Sequence, residues 1–180
     1  IGGAERMLVD IANASVADGH QVGVCITRAS CDDLASELNS AVDLHVLKRI
    51  RRFDWGSLRD FSNLIQKCQY QVIHVHGRSS LSFCASAKML YHNEIPIVFH
   101  DHYGRIETDE GVPHWFRLWG RHYVTKYIGV YEKLRGWALT AGIRPEDIAV
   151  IGNGINLERF AVSPAANLRQ EFGIEASALV

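Results

Sequence analysis

Two hydrophobic periods alternate along this chain, and that alternation limits the fold more than any other feature of the sequence. Short apolar runs with strand periodicity are separated by segments whose apolar residues recur at helical spacing. The predicted strands are 22–27, 42–47, 71–76, 95–99, 126–130 and 148–151, and the predicted helices are 4–17, 32–38, 55–68, 79–90, 113–122 and 132–141. Because strands that alternate with helices are joined by right-handed crossovers, the sequence predicts an α/β domain with a mostly parallel sheet and helices on both faces.

The composition argues against several classes of protein. A formal net charge of −1 over 180 residues disfavours nucleic-acid binding, which needs a cationic surface. No apolar run reaches the roughly 18 residues that span a bilayer, and no secretory signal is visible, so the sequence predicts a cytoplasmic protein. Cys25, Cys31, Cys68 and Cys84 form no C-x-x-C pair and are interpreted as reduced thiols, with a disulfide or a zinc knot as the alternative.

The two ends of the chain interrupt the alternating pattern. Ile1–Ala4 is a glycine loop that opens a helix, and such loops normally follow a strand. A helix is predicted at 168–172, and residues 178–180 begin another apolar run. We therefore expect a first strand before Ile1 and a further domain after Val180. Residues 1–160 are assigned to one domain, and residues 161–180 to a linker and the start of a second.

The first candidate site is the pair Gly2–Gly3 at the start of the first helix. In an open parallel sheet, ligands bind outside the carboxyl ends of the strands, where such loops lie. Glycines let the backbone approach a ligand closely, and the first N–H groups of a helix can bind an anion such as a phosphate. The alternative is a tight turn without a ligand.

A second candidate lies at the end of the strand 71–76. His74 and His76 are two residues apart and therefore face the same side of that strand. Histidine can act as an acid, a base or a hydrogen-bond donor near neutral pH, and Arg78 could hold a phosphate or a carboxylate. His76 is interpreted as functional because it is next to the strand end, whereas His74 is interpreted as a core histidine.

The third candidate is the polar segment that follows the strand 95–99. His100, Asp101, Tyr103 and Arg105 concentrate polar and aromatic groups in one predicted loop, and the alternative is a loop that only closes the domain. His100 and His102 form a second H-x-H pair, and two such pairs raise the hypothesis of a zinc-dependent hydrolase. No further spaced histidine or carboxylate set accompanies them, so the sequence predicts no metal site.

A turn after the last predicted strand is the fourth candidate. Asn153–Gly154 follows the strand 148–151 and tolerates positive φ. It is interpreted as a hinge beside a cleft, with an ordinary turn as the alternative.

A basic segment with aromatic neighbours precedes the third predicted helix. Lys48–Phe53 contains four basic residues and is followed by Trp55. Such a loop could contact anionic lipid headgroups at the inner face of a membrane, or a phosphorylated acceptor. The alternative is a solvated loop.

Taken together, these segments resemble the N-terminal domain of the retaining GT-B glycosyltransferases of family 4. The segments that carry the resemblance occur in the family's order along nearly the whole chain. They are Gly2–Arg6, Gly19–Val22, Val72–His76, Val98–Asp101, Tyr127–Val130 with Glu132, and Val150–Phe160.

The resemblance implies two Rossmann-like domains across a cleft and transfer of a sugar from a nucleotide-sugar to an acceptor hydroxyl, with retention and without a metal cofactor. The second domain would hold most of the donor, and this domain would bind a saccharide or lipid-linked acceptor. Gly2 and Gly3 would approach the donor phosphates or the acceptor, His76 would lie near the transferred sugar, and His100 and Asp101 would line the cleft. This chain alone would then be inactive.

The sequence departs from the family pattern at three positions. Gly152 replaces the usual proline before Asn-Gly, Asn156 replaces the usual aspartate after it, and Tyr131 replaces the usual serine before Glu132. These changes bear on linker stiffness, helix capping and acceptor contacts. A non-catalytic anion-binding α/β module remains the alternative function.

Overall fold

The computed structural model describes residues 2–27, 35–51, 53–92, 94–103, 111–155, 157 and 172–175. The helices are α1 (Gly3–Ala17), α2 (Trp55–Cys68), α3 (Arg78–Tyr91), α4 (His114–Leu118) and α5 (Glu132–Thr140), with short 3-10 turns at Gly120–Tyr123 and Pro145–Asp147. The strands are β1 (Gly23–Ile26), β2 (Asp43–Val46), β3 (Ile73–His76), β4 (Ile97–Asp101), β5 (Lys126–Gly129) and β6 (Ile148–Val150).

The predicted strands are confirmed, with one difference that matters for the site. β4 continues to Asp101, so His100 and Asp101 belong to a strand and not to the loop predicted for them. They pair in register with Ile128 and Gly129 of β5, which extends the ladder by two residues. The helix predicted at 113–122 ends at Leu118 and continues as a 3-10 turn. Most of the helix predicted at 32–38, and the helix and domain boundary predicted after residue 157, lie outside the described residues.

The strand pairings among the described residues are parallel, which agrees with the mostly parallel sheet predicted. β1 pairs with β2, and a separate sheet has the order β3-β4-β5-β6 within the described ranges. The single sheet expected from the sequence is therefore divided into two. A groove of about 370 Å³ lies between α1, β1 and the end of β3, and its lining includes Leu8, Val24, Ile26 and His76.

The main hydrophobic core packs α2, α3 and α5 on the β3–β6 sheet. Leu58 of α2, Leu81 of α3, Phe99 of β4, Tyr127 of β5 and Leu134 of α5 are almost completely buried in it. Each such side chain stabilises the fold by roughly 1.5–3 kcal/mol. A smaller cluster joins α1 to the other sheet through Ala12, Val24 and Val42. The larger core thereby fixes the carboxyl ends of β3 and β4, where the candidate residues lie.

One side chain, that of Asp54, caps the start of α2. Asp54 accepts a hydrogen bond from the Ser57 backbone N–H at 3.1 Å, which is the N-cap predicted for this position. Its second oxygen accepts the Ile50 N–H at 3.3 Å, so the same carboxylate also holds the preceding basic segment. Every helix in the described ranges is too short or too polar to cross a bilayer.

Candidate functional site

The predicted site residues of β3 and β4 meet at one edge of the sheet. His76 lies directly opposite His100 in the parallel register, and their ring centroids are 5.2 Å apart. β3 ends at His76 and is followed by Gly77, whose φ of 84° and ψ of 153° suit glycine and turn the chain directly into α3. Ala4 and Glu5, next to the Gly2–Gly3 turn, line the same groove as His76. We call this edge the rim.

The rim contains a histidine cluster, made up of His74, His76, His100 and His102. Within it, His100 and His102 have ring centroids 4.1 Å apart, and His74 stacks on His100 at 5.3 Å with the rings nearly parallel. His76 Nδ1 lies 3.1 Å from His102 Nε2, within hydrogen-bond distance. Two residues that are two apart on one strand face the same side of the sheet. Because β3 and β4 are adjacent, the two H-x-H pairs form one cluster.

The prediction that His74 is a core histidine is wrong. His74 is exposed, whereas His100 on the neighbouring strand is buried, with 5% of its surface exposed. β3 is an edge strand of its sheet in the described part of the chain, and β4 lies between two neighbours. The histidine cluster therefore has an open end at His74 and a buried end at His100.

Burial keeps the histidine cluster neutral. It lowers the pKa of His76 to about 3 and that of His100 to about 4, and the like charges of neighbouring imidazoles lower both further. Burial also lowers the pKa of His102, against the opposing effects of Asp101, a hydrogen bond with Asn153 and the charge of Glu5. At pH 7 these rings are neutral hydrogen-bonding groups, and His76 is poorly suited to donate a proton as an imidazolium.

These pKa values predict an acid-sensitive fold. Between pH 6.5 and about 4 an unfolded histidine takes up a proton that the folded histidine cluster does not, so the unfolded state binds more protons and stability falls as the pH falls. The carboxylates of Glu5 and Asp101 nearby reduce this effect only for His102. Urea denaturation with a chelator present should show a midpoint that decreases steadily from pH 7 to pH 4.5.

A matched variant identifies the source of that dependence. His100→Gln should flatten the curve because it removes one of the buried titrating rings, whereas His20→Gln, which alters an exposed loop residue, should not. An equal midpoint at pH 7 and pH 5 in the unaltered protein would contradict the assigned burial of the rings.

Arg78 and Asp101, both predicted to bind a ligand, bind each other. Arg78 Nη2 lies 3.2 Å from Asp101 Oδ2, with the side chains 17% and 1% exposed. Tyr127 donates its hydroxyl to the same oxygen at 3.0 Å, and the Tyr103 N–H donates to Oδ1 at 3.0 Å. Burial and the Asp101 charge raise the pKa of Tyr127, so it remains a donor. This network ties β4 to α3 and β5 beneath the rim.

The Arg78 guanidinium is also held by aromatic rings. It lies 3.8 Å from the ring centroid of Tyr103 and 4.2 Å from that of Trp137. Direct ligand contacts by Arg78, Asp101 and Tyr103 stay predictions, and Arg105 lies outside the described residues.

The predicted hinge reaches the same region. Asn153 is within hydrogen-bond reach of His102, and Gly154 and Ile155 line a second cavity against Met7 and Ile11 of α1. Exposed apolar side chains accompany this segment at Ile151, Ile155 and Leu157. The segment after β6 thus leaves the domain beside α1 and the rim.

His102 and Glu5 lie in segments that the sequence marks as candidates, but the sequence predicts no role for either in sugar transfer. The i, i+2 spacing of His100 and His102 was a sufficient signal, because it is the argument that united His74 with His76. Glu5 accepts the Gly2 N–H at 3.1 Å, and a glutamate three residues after a helix start is a recognisable capping signal. Tyr127 and Trp137 carried no such signal, since their contacts with Asp101 and Arg78 depend on the folded chain.

This parallel α/β architecture, with its candidate site at one edge of the sheet, is that of one lobe of the GT-B glycosyltransferase fold. The family model for Glycosyltransferase Family 4 matches residues 1–159. The chain therefore belongs to glycosyltransferase family 4. A sequence search of curated proteins gives no match.

Solved structures agree with this assignment at the level of the fold. The chain is similar to a glycosyltransferase from Rickettsia africae, with a TM-score of 0.74 and 16% identity over 98% of this chain and 48% of that one. It is also similar to HepE from Anabaena in complex with UDP-glucose, with a TM-score of 0.69 and 20% identity over 96% and 47%. The apo lipopolysaccharide outer core galactosyltransferase WaaB gives a TM-score of 0.64 and 11% identity over 87% and 43%. The chain spans slightly less than half the length of each.

Proposed function

We propose that residues 1–160 form the acceptor-side domain of an enzyme that transfers a sugar from a nucleotide-sugar to an acceptor hydroxyl, with retention of the anomeric configuration and without a metal cofactor. Residues 161–180 then lead into a second lobe that completes the active site. The observation that carries this proposal is the convergence of His76, His100, Asn153 and the start of α1, at Ala4 and Glu5, on one rim of a family 4 domain.

The chemistry of the rim suits a polar, uncharged sugar. Neutral imidazoles can both donate and accept hydrogen bonds, which is what sugar hydroxyls require. The low pKa of His76, about 3, keeps that ring neutral throughout the physiological range. His76 then orients the acceptor or the transferred sugar by hydrogen bonding, and most of its contribution is positioning.

The start of α1 suits a phosphate. A Cβ added to Gly3 would meet nothing within 4 Å, so this backbone faces open space that a ligand can enter. The Gly2 N–H already donates to a carboxylate oxygen of Glu5 at 3.1 Å, which shows that it can bind an anionic oxygen. A donor phosphate would compete with Glu5 for this N–H. The UDP-glucose in the similar HepE structure supports a donor of this chemical class.

A transfer assay on the full-length protein tests the proposal. The protein should release nucleoside diphosphate from one of a panel of nucleotide-sugars only when an acceptor extract is added, and proton NMR of the product should show the anomeric configuration of the donor. A product of inverted configuration would contradict retention alone. Absence of transfer from every donor in the panel, from protein that binds nucleoside diphosphates, would contradict the transferase assignment.

We further propose that this domain contacts a membrane that carries its acceptor. Ile50, Phe53 and Trp55 are 86%, 56% and 66% exposed, next to the exposed basic side chains of Lys48 and Arg51. Exposed aromatic and aliphatic groups beside cations are the features that bind an anionic bilayer surface.

Arg49 explains why the apolar side chains of this segment point outward. The Arg49 residue is 6% exposed, its guanidinium lies 4.9 Å from the Phe83 ring centroid, and Nη2 donates to Ser79 Oγ at 3.4 Å. Arg49 is therefore turned away from solvent, whereas Lys48 and Arg51 are exposed. Because Arg49 is turned inward, Ile50 on its other side is turned toward solvent.

Vesicle binding measures this contact. The double variant Phe53→Ser/Trp55→Ser should bind phosphatidylglycerol vesicles at least about tenfold more weakly, since each large apolar side chain contributes roughly 1.5–3 kcal/mol on burial. Leu139→Ser is the matched control, because Leu139 is an exposed apolar residue on α5, away from the basic segment. Equal vesicle binding by the double variant and the control would contradict the membrane contact.

A further inference from the structure

The histidine cluster has a feature that sugar binding does not explain. The His100 residue is only 5% exposed, and both of its ring nitrogens are buried. Neither nitrogen has a hydrogen-bond partner among the described residues. A buried polar group left in this state destabilises the fold, because it has lost its hydrogen bonds to water. An unpartnered imidazole surrounded by other imidazoles suggests a ligand that is bound by nitrogen.

His74, His76 and His100 each offer one ligand atom, and these atoms lie within 4.8 Å of one another. We propose that these three side chains bind one Zn²⁺ ion at the rim. The proposal departs from the expectation of no metal site, because the sequence alone does not show that the two H-x-H pairs meet. The zinc site shares His76 and His100 with the proposed sugar-binding rim, so a bound ion would compete with a sugar for these rings.

The geometry requires only a small adjustment. Zinc binds imidazole nitrogen at about 2.0–2.1 Å, so ligands at tetrahedral angles are separated by about 3.4 Å. The three ligand atoms therefore need to approach one another by about an ångström and a half at most, which side-chain rotation can supply. The ligands are held on adjacent strands in fixed register, His76 opposite His100, so the backbone already places them.

The surroundings favour imidazole ligation over other donors. His102, whose Nε2 lies 3.1 Å from His76 Nδ1, is placed to orient the His76 ring as an outer partner of the ligand set. Asp101 is occupied by Arg78, Tyr127 and the Tyr103 N–H, so it is not available as a ligand. The exposed position of His74 provides the route by which an ion enters.

Two thiols in the described part of the chain, Cys25 and Cys84, are less suitable zinc ligands. Burial raises the pKa of the Cys25 thiol to about 12 and also raises that of Cys84, so both are protonated at neutral pH. A thiol must lose its proton to bind zinc. Zinc bound with one-to-one stoichiometry is therefore expected at the histidine cluster.

Calorimetric titration of the full-length, tag-free protein with zinc chloride, after treatment with EDTA and dialysis, tests the site. We expect one equivalent of Zn²⁺ to bind, and His74→Ala to weaken binding by more than about tenfold, since even partners outside the ligand shell change metal affinity by 10–100-fold. His74 is exposed, so this variant should fold normally, and far-UV circular dichroism checks this. His20→Ala and His114→Ala, which alter exposed histidines elsewhere, should retain full affinity.

The possible outcomes separate clearly. Stoichiometric binding that is lost in His74→Ala and in His100→Gln, and retained in the two controls, supports the site. Absence of stoichiometric binding overturns the proposal, as does binding that both cluster variants retain. Because the titration contains only protein and metal, its failure would not affect the transferase proposal, and failure of the transfer assay would not affect the zinc site.

Discussion

The variant His76→Ala in the full-length enzyme is expected to lower kcat for sugar transfer by about 10²–10³-fold, the loss typical when one preorganised hydrogen bond to the transition state is removed. His76 lies at the end of β3 on the rim, opposite His100, and lines the groove beside Ala4 and Glu5. The variant's free energy of unfolding should fall by only about 1 kcal/mol. The His76 residue is half-buried, and the hydrogen bond described for its ring is the contact with His102.

A conservative variant separates hydrogen bonding from proton transfer. Burial holds the pKa of His76 near 3, so the ring is neutral at the working pH and its hydrogen bonds are those of an amide-like group. His76→Gln should therefore recover a substantial part of the activity lost in His76→Ala. The pH profile of kcat/KM should show no ionisation of His76 near pH 6.5.

The control for this experiment is His20→Ala, an exposed histidine in the loop after α1, which should leave kcat unchanged. Full activity in His76→Ala would contradict the role assigned to this residue. Loss of activity with an equal loss of folded protein would also contradict it, since His76 would then be a structural residue.

The variant Arg78→Ala is expected to have the largest effect on stability, lowering the free energy of unfolding by about 3–5 kcal/mol. It removes the cation that partners Asp101, whose residue is 0% exposed, and leaves that carboxylate with Tyr127 and the Tyr103 N–H alone. It also removes the guanidinium contact with Trp137. Urea denaturation followed by circular dichroism gives the measurement.

An exposed ion pair on α5 supplies the matched control. Arg135 lies 3.5 Å from Glu132, with the two side chains 48% and 74% exposed. Arg135→Ala should change stability by less than about 0.5 kcal/mol, because exposed pairs of this kind are screened by water. Equal free energies of unfolding for Arg78→Ala and Arg135→Ala would contradict the stabilising role assigned to the buried Arg78–Asp101 pair.

The order of strands and helices could be predicted from the sequence because it depends on local patterns. Periods of two and of three to four residues identified β1 to β6 and the longer helices, and Asp54 marked the start of α2. The ends of strands were harder to predict. His100 and Asp101 are polar and were placed in a loop, but pairing with β5 keeps them in β4.

The site was predictable only as far as residues that are close in sequence. His76 and Gly2–Gly3 are predictable because they lie at the end of a strand and at the start of a helix. The exposure of His74 depends on β3 having a neighbour on one side within the described sheet, which no local pattern shows. The contacts of Arg78 with Asp101 and Trp137 join segments 23 to 59 residues apart, and they exist only in the folded chain.

The central claim is that the Gly2–Gly3 turn, His76 and His100 form one ligand-binding rim. A crystal structure of the full-length protein with a nucleotide-sugar and an acceptor bound tests it most directly. We expect donor phosphate oxygens or acceptor oxygens within hydrogen-bond distance of the Gly2 or Gly3 N–H, and a sugar hydroxyl within hydrogen-bond distance of His76. Ligands bound elsewhere, with this rim facing solvent in the closed enzyme, would contradict the account.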